Sequence, residues 1–290
     1  MGLRLKFNLA LLLVFVLGLA VSGFVSHELL RRNARDEVLH TAGVMMEAAL
    51  AMRTYTVAQV RPHLNSEEGE FLPQSVPAYA ATEIMGRLHE TYPDYAYKEA
   101  ALNPTNPRDR AVAWEADIID EFRNNGGRKE FSGIRETPTG LSLYLARPFQ
   151  IKDPSCLGCH TTAEMAPPAM VKRYGGNNGF GWKLNEVIGA QIVSVPMSVP
   201  IMKADRAFLT FMISLTAVFA TLFVILNIML SMLIVRPIRR MSAAADRISM
   251  GDQDVPELPE TGKDEVALLG RSFNRMRRSL EKAISMINEP

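Results

Sequence analysis

The chain has 290 residues, with 32 Lys and Arg against 31 Asp and Glu, for a net charge of +1. That balance argues against a nucleic-acid binder, whose affinity rests on a basic excess. Apolar residues make up 48%, an ordinary share for a globular protein, but they are unevenly spread.

Residues 7–25 (FNLALLLVFVLGLAVSGFV) and 207–235 (AFLTFMISLTAVFATLFVILNIMLSMLIV) carry no charge. A membrane-spanning helix takes about 20 apolar residues, so both runs predict spans. The first also has the basic start (Arg4, Lys6) and small residues (Ala20 to Gly23) of a cleaved signal peptide, but its apolar run is longer than a usual signal core. Arg4 and Lys6 precede the first run, and Arg236, Arg239 and Arg240 follow the second. Basic flanks stay in the cytoplasm. Arg31, Arg32, Lys203 and Arg206 on the other side make the bias moderate. The expected division is a cytoplasmic start (1–6), a span (7–25), a periplasmic domain (26–206), a second span (207–235) and a cytoplasmic segment (236–290). The expected location is the bacterial inner membrane.

Within 26–206 the pattern changes from helical to strand-like. Leu29, Leu30, Val38, Leu39, Met45, Met46, Ala49 and Met52 fall at three- and four-residue steps, predicting a helix over 27–62 that ends at Pro62. A helix of about 35 residues rises about 50 Å, enough for a stalk that merges into the domain. A helix over 78–90, a turn-rich loop at 102–109 (LNPTNPRD) and a helix over 111–124 follow, the last ended by NNGG. LSLYLARPFQI (141–151) and VIGAQIVSVPM (187–197) read as strands. Helices first and strands after predict an α+β domain. GGNNGFG (175–181) has no following Lys-Ser/Thr and opens no helix, so it reads as a plain turn.

Both cysteines lie in SCLGCHTT (155–162), three positions apart, with His160 after the second. CxxCH is the attachment pattern of c-type haem. Two thiols add across two vinyl groups, the spacer sets the sulfur separation, and the next residue lies under the iron. Cys156 and Cys159 are therefore the expected attachment points of one covalent haem c per chain, and His160 the proximal ligand. Zinc needs a second ligand pair, and His27, His40, His63 and His89 offer no such spacing. A redox dithiol or disulfide is the competing reading, but Pro154 and Gly158 predict a loop rather than a helix start. An outward-facing domain favours haem, which is ligated to protein in that compartment.

No third cysteine exists to supply a thiolate on the distal side. Candidates there are His40, Met45, Met46, Met52, His63, Met85 and His89, with His63 favoured because it follows the break at Pro62. Arg147, on the strand leading to the motif, is a candidate propionate partner; a solvated strand arginine is the plainer reading. Trp114, Trp182, Tyr95 and Tyr97 are candidate pocket walls or ordinary core.

RTYTVAQVRPHL, FLPQSVPAYAA, YKEAALNPTNP, LARPF, CLGCH and GWKLNEVIGAQIVSVP together resemble a family of extracytoplasmic c-type-haem sensor domains, over about residues 40–198. The resemblance implies a PAS-like fold, covalent haem on Cys156 and Cys159 and ligation by His160. It leaves the distal ligand open.

Beyond the second run, Ile238, Met241, Ala245 and Ile248 step by 3, 4 and 3, and Gly251 closes that helix. Val255 and Leu258 are the apolar points of a connector. Val266, Leu269, Phe273, Met276, Leu280, Ala283 and Ile287 then keep a heptad seam. Two short seams bury themselves when two copies form a parallel four-helix bundle. With Pro237 past the span and Asp264-Glu265 opening the second helix, this segment resembles a HAMP signal-relay module. Asn227 in the second span, and Gly18 with Ser22 in the first, are weaker packing signals.

The fold expected is thus an α+β, PAS-like periplasmic domain between two transmembrane helices, followed by an all-α HAMP bundle in a homodimer. The function expected is a receptor, not an enzyme, that senses redox state or a small gaseous ligand. No output motif follows before Pro290, so a cytoplasmic signalling partner or a further module is expected to read the signal. The alternative is a membrane-anchored c-type cytochrome for electron transfer. A catalytic haem enzyme finds no acid–base constellation beside the motif.

Overall fold

The computed structural model describes residues 2–64, 71–252, 254–259 and 262–288. They fall into two units, His27–Ala207 and the remainder (Met1–Ser26 with Phe208–Pro290). The helices are α1 (Leu3–Tyr55), α2 (Arg61–Leu64), α3 (Pro77–Thr91), α4 (Ala113–Asn124), α5 (Leu157–His160), α6 (Pro168–Tyr174), α7 (Ser198–Met229), α8 (Arg236–Ser249) and α9 (Glu265–Asn288). The strands are β1 (Ala96–Ala101), β2 (Phe131–Thr137), β3 (Gly140–Gln150) and β4 (Val187–Pro196).

In the His27–Ala207 unit the four strands make one antiparallel sheet in the order β1-β4-β3-β2. Side chains alternate across it. Leu143, Leu145, Val193 and Val195 bury one face against Val38, Ala42, Met46 and Ala49 of α1 and Met85 of α3. Ala100, Ala146, Ala190 and Ile192 bury the other against Ile118, Ile119 and Phe122 of α4. Two-sided burial fixes the register, because a slip of one residue would exchange the faces. This is a mixed helix-and-sheet domain, and α1 from Ala34 onward is part of its core.

Two strands were not legible. AYKEAA (β1) is poor in β-branched residues; it becomes a strand because it pairs with β4, Ala96 opposite Ser194 through Ala101 opposite Gly189. β2 is an edge strand whose residues alternate between half-buried and exposed.

The long helix does not end at Pro62: it turns π-helical before that residue and runs on as α2 to Leu64. A π-helical turn spans Thr56–Val60, and the Arg61 N–H donates to the Thr56 carbonyl. A helical proline clashes with the carbonyl four residues back, here Ala58, and the wider turn relieves that clash. The same solution recurs before Pro237, where Leu230–Val235 is π-helical and the Arg236 N–H donates to the Ser231 carbonyl. Both prolines follow Val-Arg.

The charged groups buried in the sheet are paired. Arg53 of α1 forms an ion pair with Glu99 of β1, which is only 3% exposed. Tyr97 donates to Glu99 Oε1 (2.8 Å), and Gln191 donates to the Tyr97 oxygen (3.3 Å). Burial, and then the Glu99 charge, push the Tyr97 phenol far above its usual range. On the other face Lys98 meets Glu115 at 2.7 Å, and Glu115 also accepts the Val112 N–H at the start of α4.

In the second unit α1 and α7 pack antiparallel. The Phe15 and Phe219 rings stack at 4.9 Å, and Gly18 leaves room for Phe219. Asn227 donates to the Phe223 carbonyl of its own helix. Two helices, Arg4–Leu64 and Ser198–Ser249 with their π-turns included, are long and apolar enough to cross a membrane. Beyond them, Asp264 accepts the Ala267 N–H and so caps α9. Fully buried Asn274 clamps the connector, accepting from Leu258 N–H (3.1 Å) and donating to Leu258 C=O (2.9 Å). Within one chain the buried line is Met241 and Ala244 of α8 with Ala267 and Asn274 of α9. The seam positions Leu269, Met276 and Leu280 stay 54%, 63% and 46% exposed. The Ile287 side chain lies outside what is described.

Removing Arg53 would strand the Glu99 charge inside the sheet. Arg53→Met is expected to cost about 3–5 kcal/mol in urea melts, and Glu99→Leu added to it to restore much of that loss. Equal losses in single and double variants would show that the pair is not the source.

Candidate functional site

The CxxCH stretch leaves β3 and is pinned before it turns. Ile151 exchanges backbone hydrogen bonds with the Glu186 carbonyl (3.0 Å) and the Asn185 N–H (2.7 Å). Asp153 then accepts the Ser155 N–H (2.9 Å), and Pro154 takes the next position, where its missing N–H costs nothing. This cap starts a 3₁₀ turn (Pro154–Cys156) that continues as the helical turn α5. The motif is therefore helical, not the loop that Pro154 and Gly158 suggested. The consequence is geometric: positions 156, 159 and 160 are spaced i, i+3 and i+4, which places them on one side of the turn.

Cys156, Cys159 and His160 all line a cavity of about 510 Å³. Its apolar walls include Phe149, Ile151, Ile188 and Met170; its polar groups include Arg53, Arg61, Arg108, Glu99 and Asp109. That volume and mixed lining are typical of a cofactor-sized site.

His160 is held on three sides. Its ring stacks on Trp182 at 3.9 Å and 13°. Its Nδ1 lies 2.7 Å from the Gly179 carbonyl and 3.4 Å from Thr105 Oγ1. A carbonyl only accepts, so Nδ1 carries the proton and Nε2 keeps its lone pair. Burial lowers the His160 pKa and so favours the neutral ring, while the hydrogen bond to Gly179 pulls the other way. A neutral imidazole with its second nitrogen fixed by a carbonyl is the form that binds metals.

Gly179 must be glycine. Its φ is +82°, and a Cβ there would stand 2.1 Å from Thr105 Oγ1. The GGNNGFG stretch is a turn, as its composition predicts, and it carries the carbonyl that orients His160.

The two thiols are free and half-buried. Burial raises both pKa values; Asp153 raises that of Cys156 further, while Arg61 lowers both. A redox dithiol needs a depressed thiol pKa, so the environment speaks against that reading. Among the described residues, no group of three or more His, Cys, Asp or Glu side chains is placed to hold a metal ion.

The other sequence candidates lie elsewhere. His63 is exposed on α2 and does not line the cavity, although its neighbours Arg61 and Leu64 do. His40 is exposed, and exposed His89 meets the Tyr95 carbonyl at 2.8 Å. Met45, Met46 and Met85 belong to the core between α1, α3 and the sheet, and Met52 does not line the cavity. Arg147 is also off the cavity, bonded to Glu47 (2.7 Å) and Glu130 (2.9 Å). Trp114 packs with Tyr144 on the α4 face, and Tyr95 with Tyr92, so of the four aromatic candidates Trp182 alone lines the cavity. Of the five histidines, only His160 lines it.

Sequence reasoning missed Arg61, Arg108, Asp109 and Met170. Arg61 had a visible signal, since it stands next to Pro62. Asp109 had none. Burial lifts its pKa to about 6, against the pull of Arg108.

These features define a helix-and-sheet domain with a thiol–thiol–imidazole site, joined to a paired-helix module. Residues 31–196, more than half of the chain, match the Tll0287-like family, and the chain belongs to that family. Residues 229–282 match the HAMP domain, so a HAMP signal-relay domain follows. The solved structure titled "Crystal structure of the cyanobacterial heme-protein Tll0287" is 17% identical, covers 55% of this chain and 95% of its own, and superposes with a TM-score of 0.44. No curated protein matches the chain.

Asp109 gives a pH test of the cavity. A carboxyl whose pKa rises on folding binds more protons folded than unfolded between about 3.8 and 6, so its contribution to stability falls as pH rises through that window. Asp109→Asn removes the effect. The variant is expected to be more stable than the parent at pH 7 and equal to it near pH 4, in urea melts at each pH. A difference independent of pH would show that Asp109 does not titrate this way.

Proposed function

We propose that this chain is a receptor of the bacterial inner membrane whose periplasmic unit carries one covalent haem c, and whose HAMP domain relays the state of that haem. The observation that carries the reading is the convergence on one cavity of two thiols and an imidazole held in the metal-binding tautomer. Bound there, a haem supplies a one-electron couple and an iron that takes small ligands.

The chain's own residues divide the work. Cys156 and Cys159 would hold the group through thioethers, and His160 would offer Nε2 to its iron. Trp182 keeps the imidazole from rotating. Burial raises both thiol pKa values, which favours their protonated form. Arg53, Arg61 and Arg108 line the cavity and Arg147 does not, so in this reading the propionate partner comes from those three. The fold is PAS-like in this reading, an antiparallel sheet with helices on its faces and a ligand cavity beside it.

Among the described residues His160 is the one histidine on the cavity wall, and Met170 is the methionine there. In this reading the distal side is where redox state or a small ligand acts. The cavity wall connects directly to both apolar helices. Arg53 lies near the end of α1, whose start is the first apolar run. Ile188 lies on β4, which is followed after one residue by α7. In a homodimer the exposed seam of Leu269, Met276 and Leu280 packs against its copy, and a cytoplasmic partner reads the bundle. The roles are those of a receptor rather than an enzyme.

The test uses the full chain in membranes with a single cysteine introduced at Leu269. Oxidising and reducing the haem is expected to change the rate of crosslinking between copies at least severalfold, with no change in Cys156→Ala or Cys159→Ala backgrounds. An identical rate in both redox states would remove redox sensing; repeating the assay with CO or NO present tests ligand sensing.

A further inference from the structure

Two loops meet beside His160 at the cavity. One is LNPTNP (102–107) after β1; the other is GGNNGFG (175–181) after α6. Asn103 joins them. Its Oδ1 accepts the Gly179 N–H (3.1 Å), and its Nδ2 donates to the Phe180 carbonyl (3.2 Å). These groups belong to the peptide planes on either side of the 179–180 plane, and that middle plane carries the Gly179 carbonyl bonded to His160. One side chain thus grips both neighbours of the carbonyl that fixes the imidazole.

The opposite edge of the loop is stitched to the motif itself. The Gly181 N–H donates to the Thr161 carbonyl (2.9 Å) and the Trp182 N–H to the His160 carbonyl (3.3 Å). Thr105, two residues after Asn103, closes the remaining space over Gly179. The pattern needs both a donor and an acceptor on one short side chain, which asparagine provides.

We infer that Asn103 is a positioning residue for the axial histidine: by holding the Gly179 carbonyl on His160 Nδ1, it sets how strongly the imidazole donates to the iron. The inference rests on the haem reading and deepens it. A carbonyl held close to Nδ1–H pushes electron density into the ring and stabilises ferric iron. Loosening the carbonyl weakens that donation and favours ferrous iron. Asn103 does not line the cavity, so its effect would pass through the Gly179 carbonyl to His160.

The experiment is spectroelectrochemical titration of the full chain in detergent, with haem content read as pyridine haemochrome and ferric EPR g-values recorded alongside. Asn103→Leu is expected to keep one haem per chain, change the g-values, and raise the ferrous-to-ferric ratio at a fixed potential about tenfold, which for one electron is about 59 mV. Asn103→Ala, which only truncates, carries the same expectation should the leucine variant fail to fold. Asn178→Ala is the control. Asn178 accepts from Arg110 (3.1 Å) and anchors the same loop without touching the clamp, so it should leave the potential unchanged. An unchanged potential in both Asn103 variants, or an equal shift in Asn178→Ala, overturns the inference alone. A parent protein without covalent haem overturns the haem reading with it.

Discussion

The site depends on the hydrogen bond between His160 Nδ1 and the Gly179 carbonyl. It decides which imidazole nitrogen carries a proton, and so which one is left for a metal. Everything around it serves that contact. Gly179 adopts a left-handed backbone that a side chain would obstruct, Trp182 stacks on the ring, and burial keeps the imidazole neutral. The cap at Asp153 starts the helical turn that brings both thiols to the same side as the histidine. A CxxCH pattern on an extended loop would not place those groups together.

The sheet supplies the second constraint. Because both faces are buried, its register is fixed, and so are the positions of Glu99, Ile188 and Phe149 along the cavity. Glu99 brings a charge into the interior and is balanced by Arg53 from α1. A buried pair of this kind adds little net stability, but it ties one helix to one strand in one arrangement. That tie links the cavity to the helix that carries the first apolar run. The direct passage from β4 to α7 gives a second route.

Local chemistry was legible in the sequence, and long-range placement was not. Cys156, Cys159 and His160 lie within five residues, so spacing alone brought them together. The apolar runs, α4 and the α9 heptads were equally readable from periodicity. β1 was not, because AYKEAA is a strand only through pairing with a partner about 90 residues away. The distal-side candidates also depend on placement that local sequence does not carry: on α2, Arg61 lines the cavity and His63 is exposed away from it. GGNNGFG read as a turn, and it is one; that its carbonyl meets His160 depends on a contact 19 residues apart.

Whether this cavity holds a haem bound through both cysteines is read from the intact mass of the full chain purified from membranes and denatured in acid. The expected result is a chain heavier by one haem, with the added mass on the peptide containing Cys156, Cys159 and His160. A chain of bare polypeptide mass, from cells that mature c-type cytochromes, would contradict it.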